Sequence, residues 1–180
     1  MKKLFSTSGY VEAEDFLAAN GSKIDFQALP AFLRVLLTTD GTVTKSLESW
    51  FWEPVEVQNL GQAYCILEEA VAAIECDSGA RVLDRKVQLV GRNSQKIFTR
   101  ASSLIRTELL EKAVREDLEN GKVGVGELLR ELGLETYREI VEFGENAEQS
   151  EVWRRYRIIM NHQPFIQITE CFPLAAFADH

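Results

Sequence analysis

FIQITECF, residues 165–172, alternates apolar and polar side chains as a half-buried strand does, which puts Glu170 on the same side as Ile166, Ile168 and Phe172. A carboxylate on the apolar face of a strand costs on the order of several kcal/mol unless a cation or a hydrogen-bond donor meets it. The expected partner is Arg85, which alternates with Leu83, Val87 and Leu89 in RVLDRKVQLVG, residues 81–91. Opposite charges on the inner faces of two strands have two readings: a buried ion pair that helps specify the fold, or a polar site that receives a ligand.

Working outward from these strands, residues 80–90 and 96–106 are two alternating runs joined by GRNSQ, an antiparallel hairpin. YREIVEFG, VWRRYRIIM, the turn NHQP and FIQITECFPL make the carboxyl-terminal part β, and VEVQNL, residues 55–60, opens the sheet behind Pro54. A helix is expected after a capping Asp25, with Pro30 early and Leu29, Phe32, Leu33, Leu36 and Leu37 at helical spacing. A second, VTKSLESWFWE, is expected behind a Thr42 cap, giving a helical hairpin around TTDGT. Helical spacing also marks Ile66–Glu75 (Ile66, Leu67, Ala70, Val71, Ile74), with a strand as the alternative for its end, Glu108–Leu118 up to the stop at Asn120-Gly121, and the short GELLRELG. VEAEDFLAA, stopped by Asn20-Gly21, carries a weaker helical signal. The expected fold class is α+β, a single antiparallel sheet with helices packed against it.

With 180 residues the chain suits one domain, spanning residues 1–180, and 46% hydrophobic against 27% charged residues is the balance of a globular protein. A formal net charge of −8 provides no field for a polyanion, so nucleic acid is not an expected partner. The local basic cluster, Arg154, Arg155 and Arg157 around Tyr156, is divided by alternation into a solvated face and one inward-pointing guanidinium. Cys65, Cys76 and Cys171 are odd in number, widely spaced and without a CxxC pair, which argues against a disulfide framework or zinc site and for the reducing cytosol. No apolar run approaches the length of a membrane span, and no apolar segment follows the amino-terminal lysines. A cytoplasmic protein without membrane insertion is the expectation.

GKVGVG, residues 121–126, has three glycines before a helix, but it fits neither the GxGxxG dinucleotide pattern nor a phosphate loop. It reads as a helix stop and tight turn, or as a flap whose backbone amides closely approach an anion. TTDGTVT, residues 38–44, is an αα turn whose hydroxyls and amides, Thr44 among them, are placed to line a site mouth. His162 in a turn and His180 at the end lack further ligands at usable spacing, so neither a metal site nor a nucleophile–histidine pair is expected. Cys171 alternates away from Glu170 and reads as packing.

LPAFLRVLLTTDGTVTKSLE, VLDRKVQL, GKVGVGELL and WRRYRI…QPFIQITECF, in this order and with these gaps, resemble the chorismate pyruvate-lyase family, over most of residues 25–174. The resemblance implies a cofactor-free enzyme that converts chorismate to 4-hydroxybenzoate and pyruvate in a site enclosed by helical flaps. It assigns ligand-carboxylate binding to Arg85, catalysis to Glu170, and a flap backbone contact to Val125, next to Gly126. Gly124 stands where the family commonly has proline. Glu170 would either protonate the departing group or accept the ring proton. The basic strand at Arg155 and Arg157 is a candidate anchor for a second carboxylate. Effector domains of some transcription regulators resemble the same fold, so the alternative is a non-catalytic sensor of a small aromatic acid.

Overall fold

A computed structural model describes residues 24–119 and 124–178. Its centre is a six-stranded antiparallel sheet: β1 Val55–Ile66, β2 Arg81–Gly91, β3 Ile97–Ile105, β4 Thr136–Asn146, β5 Glu151–Met160 and β6 Gln163–Pro173. The spatial order is β1-β2-β3-β6-β5-β4, two three-stranded meanders joined along β3 and β6. Each meander is preceded by a helical pair: α1 Ala31–Thr38 and α2 Val43–Phe51 before β1, and α3 Lys112–Glu119 and α4 Val125–Glu131 before β4. The link from β3 in the middle to β4 at the far edge has to cross the sheet, and it does so with α3 and α4.

Both helical pairs cover the same sheet face at opposite ends. Leu33, Leu36, Leu37, Val43 and Leu47 of α1 and α2 bury against Leu89, Phe98, Phe143, Val152, Phe172 and Phe177. Val114, Leu118, Val125, Leu128 and Leu129 of α3 and α4 bury against Leu83, Ile105, Ile158, Phe165 and Ile166. Strand register explains the division. Leu89, Thr99, Phe172 and Val152 lie under the first pair, and Leu83, Ile105, Ile166 and Ile158 under the second. Two further rows run between them: Arg85, Ser103, Ile168 and Tyr156, and Val87, Ala101, Glu170 and Arg154. Arg85, Ser103, Tyr156, Glu170 and Arg154 thus fall in the two rows between the helical pairs.

Some elements differ from the sequence expectation. Asp25 accepts the Gln27 and Ala28 amides through Oδ1, but this caps a turn, and α1 begins only behind Pro30, whose fixed φ suits a helix entry. Thr42 stands at the N-cap of α2 in extended conformation without a side-chain cap bond. The expected helix over Ile66–Glu75 is absent: Ile66 ends β1, and only Ala72–Ile74 form a 3-10 turn, enclosed by the Val71–Cys76 bridge. Its apolar residues serve separate ends, Ile66 remaining exposed while Leu67 and Ile74 bury against Val82 and Cys76. The helix expected from Glu108 starts at Lys112, after a 3-10 turn at Thr107–Leu109. VEAEDFLAA, the Asn20-Gly21 and Asn120-Gly121 stops, the first residues of GKVGVG and His180 lie outside the described residues. No helix among the described residues is long and apolar enough to cross a membrane.

The opposite sheet face is held by cross-strand pairs. Arg155 Nη1 meets Glu142 at 3.0 Å and Arg157 Nη2 meets Glu139 at 2.8 Å, each joining β5 to β4. On the same face the Trp153 indole lies over Gly144, its cross-strand neighbour, so that a Cβ on Gly144 would come within 2.1 Å of the ring. Alanine normally suits a strand better than glycine. Here Gly144→Ala is expected to destabilise the fold by about 1–3 kcal/mol because the indole must swing away. Urea unfolding with tryptophan emission measures both effects, and unchanged stability and emission would contradict this packing.

Candidate active site between the two helical pairs

The gap over the two middle rows is a cavity of about 680 Å³, counting its open mouth. Its floor is the sheet: Arg85, Val87 and Leu89 of β2, Ala101 and Ser103 of β3, Ile168 and Glu170 of β6, Tyr156 and Ile158 of β5, and Arg138 of β4. Its rim is Gly41–Thr44 from the α1–α2 turn on one side and Gly124–Glu127 from α4 on the other. The two helical pairs therefore contribute one lip each.

Arg85 and Glu170 are both buried, at 2% and 7% exposure, and both face this cavity. They are two strands apart, about 10 Å across the sheet before the residue offset is added, so their backbones do not lie opposite each other. Ala101 and Ser103 lie between them in register, Ala101 beside Glu170 and Ser103 beside Arg85. Their short side chains leave floor space where larger ones would join the two ends. Burial pushes the Arg85 pKa down, yet a guanidinium begins so high that it stays a cation near neutrality.

The cation that meets Glu170 is Arg154, not Arg85. Arg154 Nε donates to Glu170 Oε2 at 2.8 Å, and the Tyr156 hydroxyl donates to Oε1 at 3.1 Å. Arg154 is 1% exposed and pairs with Glu170 across the β5–β6 register. Its Nη1 donates to the Thr39 carbonyl at 2.6 Å, carrying the network into the α1–α2 turn. Burial first, and then the Glu170 carboxylate, push the Tyr156 pKa far up, so the phenol keeps its proton and remains a donor.

Of the other expected residues, Thr44 lines the cavity from the first turn of α2, and Val125 and Gly126 line it from the first turn of α4. The first helical bonds of α4 run from the Glu127 and Leu128 amides to the Gly124 carbonyl, so the Val125 and Gly126 amides precede them. Gly126 also permits close packing, since a Cβ there would stand 3.1 Å from Arg138 Nη2. Arg157 is a correction. Alternation turns it and Arg155 to the opposite face, where Glu139 and Glu142 hold them, and neither lines the cavity. The inward-pointing guanidinium of the basic cluster is Arg154.

Arg138, Tyr156 and Ser103 were not singled out from sequence. Alternation in WRRYRI does turn Tyr156 inward with Arg154, and that signal was available. Arg138 had none, because a bulge between Ile140 and Glu142 breaks the alternation of its strand.

If Arg154 serves Glu170, Arg154→Met should lower stability by about 3–5 kcal/mol by leaving a buried carboxylate without its cation. The Arg154→Met/Glu170→Met double variant should unfold nearer to wild type than the single one. Urea denaturation of the three proteins reads this, and simple additivity of the two changes would sink the coupling.

Comparison with known proteins agrees with this architecture. Residues 37–178 match the family model described as chorismate pyruvate-lyase Rv2949c-like. A protein named chorismate pyruvate-lyase from Mycobacterium leprae (strain TN) is 30% identical over 171 residues, which cover 88% of this chain and 81% of that protein. Its namesake from Mycobacterium tuberculosis (strain ATCC 25618 / H37Rv) is 29% identical over 163 residues, 82% of each. Among solved structures, the effector domain of PhnF from Mycobacterium smegmatis has a TM-score of 0.56 at 12% identity, covering 74% of this chain and 88% of that one. The C-terminal domain of the histidine utilization repressor from Pseudomonas syringae pv. tomato str. DC3000 has a TM-score of 0.51 at 9% identity, covering 67% and 92%. At such identities the structural likeness is one of fold. The match over residues 37–178, together with the relatives aligned over most of its length, places this chain in the Rv2949c-like chorismate pyruvate-lyase family.

Proposed function

We propose that the protein removes pyruvate from chorismate to give 4-hydroxybenzoate, without a cofactor. The observation that carries this reading is a single cavity with Arg85 at one end, the Glu170–Arg154–Tyr156 network at the other, and small β3 side chains between. Chorismate has a carboxylate at ring carbon 1, an enolpyruvyl ether at carbon 3 and a hydroxyl at carbon 4. In the proposed pose the ring carboxylate lies in the planar fork of Arg85 and against the Val125 and Gly126 amides. Carbons 3 and 4 then point toward Glu170.

The reaction breaks the bond from carbon 3 to the ether oxygen and removes the proton on carbon 4, which completes an aromatic ring. Pyruvate leaves after its enol takes up one proton, so atoms balance with no external oxidant or reductant. Glu170 in its ion pair is a carboxylate, and a carboxylate accepts. Its role here is to take the proton from carbon 4 and return it to the enolpyruvyl group. Arg154 and Tyr156 hold the two carboxylate oxygens in place, which limits the freedom lost in reaching the transition state.

The direct test is to incubate the purified protein with chorismate in chelator and follow 4-hydroxybenzoate and pyruvate, which should form in equal amounts. Chorismate binding with no product above the uncatalysed rate would make the chain a binding module instead. Within the enzyme reading, Glu170→Gln should lower kcat by roughly a hundredfold or more while leaving ligand binding measurable. Arg85→Ala should weaken binding of the acid by roughly ten- to a hundredfold. Normal turnover by Glu170→Gln would remove Glu170 from the chemistry.

A further inference from the structure

Arg138 is the second cationic side chain on the cavity wall, and it comes from the opposite sheet edge to Arg85: β4 against β2 next to β1. Its Nη1 donates to the Asp40 carbonyl at 3.0 Å, which holds the guanidinium at the rim beside the α1–α2 turn. Its Nη2 faces the space left by Gly126, so both lips of the cavity meet at this one group. Its cross-strand neighbour Ile158 stands two residues from Tyr156 on the same sheet face, and its charge opposes the upward push of burial on the Tyr156 hydroxyl, so Arg138 lies on the Tyr156 side of the cavity.

The partners of the neighbouring arginines show what Arg138 lacks. Arg154 is paired with Glu170, Arg155 with Glu142 and Arg157 with Glu139. Among the described residues Arg138 has a backbone carbonyl and no carboxylate. Glu127 lines the same cavity, but its cation is Arg130 on its own helix. A guanidinium directed into a ligand cavity, fixed by one carbonyl and short of an acid, is suited to bind an anion through its remaining donors.

We propose that Arg138 is the anchor for a second carboxylate, so that the site selects a dianion whose two acid groups are held by Arg85 and Arg138 from opposite ends. The inference rests on the proposed reaction. With the ring carboxylate on Arg85 and carbon 4 at Glu170, the substituent on carbon 3 extends beside Tyr156, and its carboxylate meets Arg138. Arg138 thus touches only the fragment that leaves. When the bond at carbon 3 breaks, the aromatic product keeps one carboxylate, on Arg85, and the link between the two ends of the site is lost. Arg138 distinguishes substrate from product, whereas Arg85 holds both.

The experiment compares a dicarboxylate with a monocarboxylate. Calorimetric titration of chorismate is carried out in the Glu170→Gln background, where turnover is suppressed, and of 4-hydroxybenzoate in otherwise wild-type protein. Arg138→Gln should raise the Kd for chorismate roughly ten- to a hundredfold and change that for 4-hydroxybenzoate less than about threefold. Arg138→Lys, which keeps the charge but not the planar fork, should lie between. Retained 4-hydroxybenzoate affinity also reports that Arg138→Gln is folded. Equal loss for both ligands would make Arg138 a clamp on the α1–α2 turn and overturn the proposal, as would no loss for either. A wild-type protein that binds chorismate without forming product would instead refute the proposed reaction, while the affinity ratio still tests the anchor.

Discussion

An ionised carboxylate in the middle of a sheet must be met from within the fold, and the Arg154–Glu170 ion pair does this at 2.8 Å on neighbouring strands. The pair is too buried for water to replace either partner, so each charge depends on the other. Arg154 extends the constraint beyond the sheet by holding the Thr39 carbonyl. The carboxylate, the β5–β6 register and the seat of the α1–α2 turn therefore depend on one guanidinium.

The clamping runs both ways between the two halves of the chain. The turn of the first helical pair is held by Arg138 and Arg154 of the second meander, through the Asp40 and Thr39 carbonyls. The end of the second helical pair's α3 is held by β1 of the first meander: Gln62 Nε2 donates to the Glu119 carbonyl, and the Tyr64 hydroxyl donates to the Glu119 carboxylate at 2.6 Å. Each half thus supplies a lid for a floor built by both. The cavity is the seam where these lids do not meet, and Arg85, Glu170 and Arg138 reach it from strands on either side of that seam.

Arg85 and Glu170 stand on strands, whereas the lips of the cavity are helix ends. Strand side chains hold their spacing through the hydrogen-bonded ladder, so the distance between the Arg85 and Glu170 ends is set by the register and by the small residues of β3. The α1–α2 lip is held by two arginine bonds to single carbonyls, from Arg154 to Thr39 and from Arg138 to Asp40. A dianion bound across the floor, as proposed, would draw on groups from both halves at once.

Much of this was legible in the chain itself. Strict alternation in FIQITECF and RVLDRKVQLVG placed Glu170 and Arg85 on inner faces, because a strand offers only two sides and apolar neighbours mark the buried one. Helical spacing and the TTDGT turn marked the first helical pair for the same reason. The apolar run at Ile66–Ile74 was misread because its residues are divided among a strand end, a loop and the outer face, a partition that periodicity does not encode. Which cation answers Glu170 was settled only by tertiary structure. Arg85 and Arg154 both alternate inward, but only strand order makes β5 the neighbour of β6 and leaves Arg85 two strands away. Arg138 reached the site the same way: a bulge hid its face in the sequence, and the crossing of α3 and α4 over the sheet brought Gly126 and the cavity to it. Sequence determines which side of a strand a residue takes, since that is local geometry. Which residues share a site depends on pairing across the sheet, and that is decided by contacts far apart along the chain.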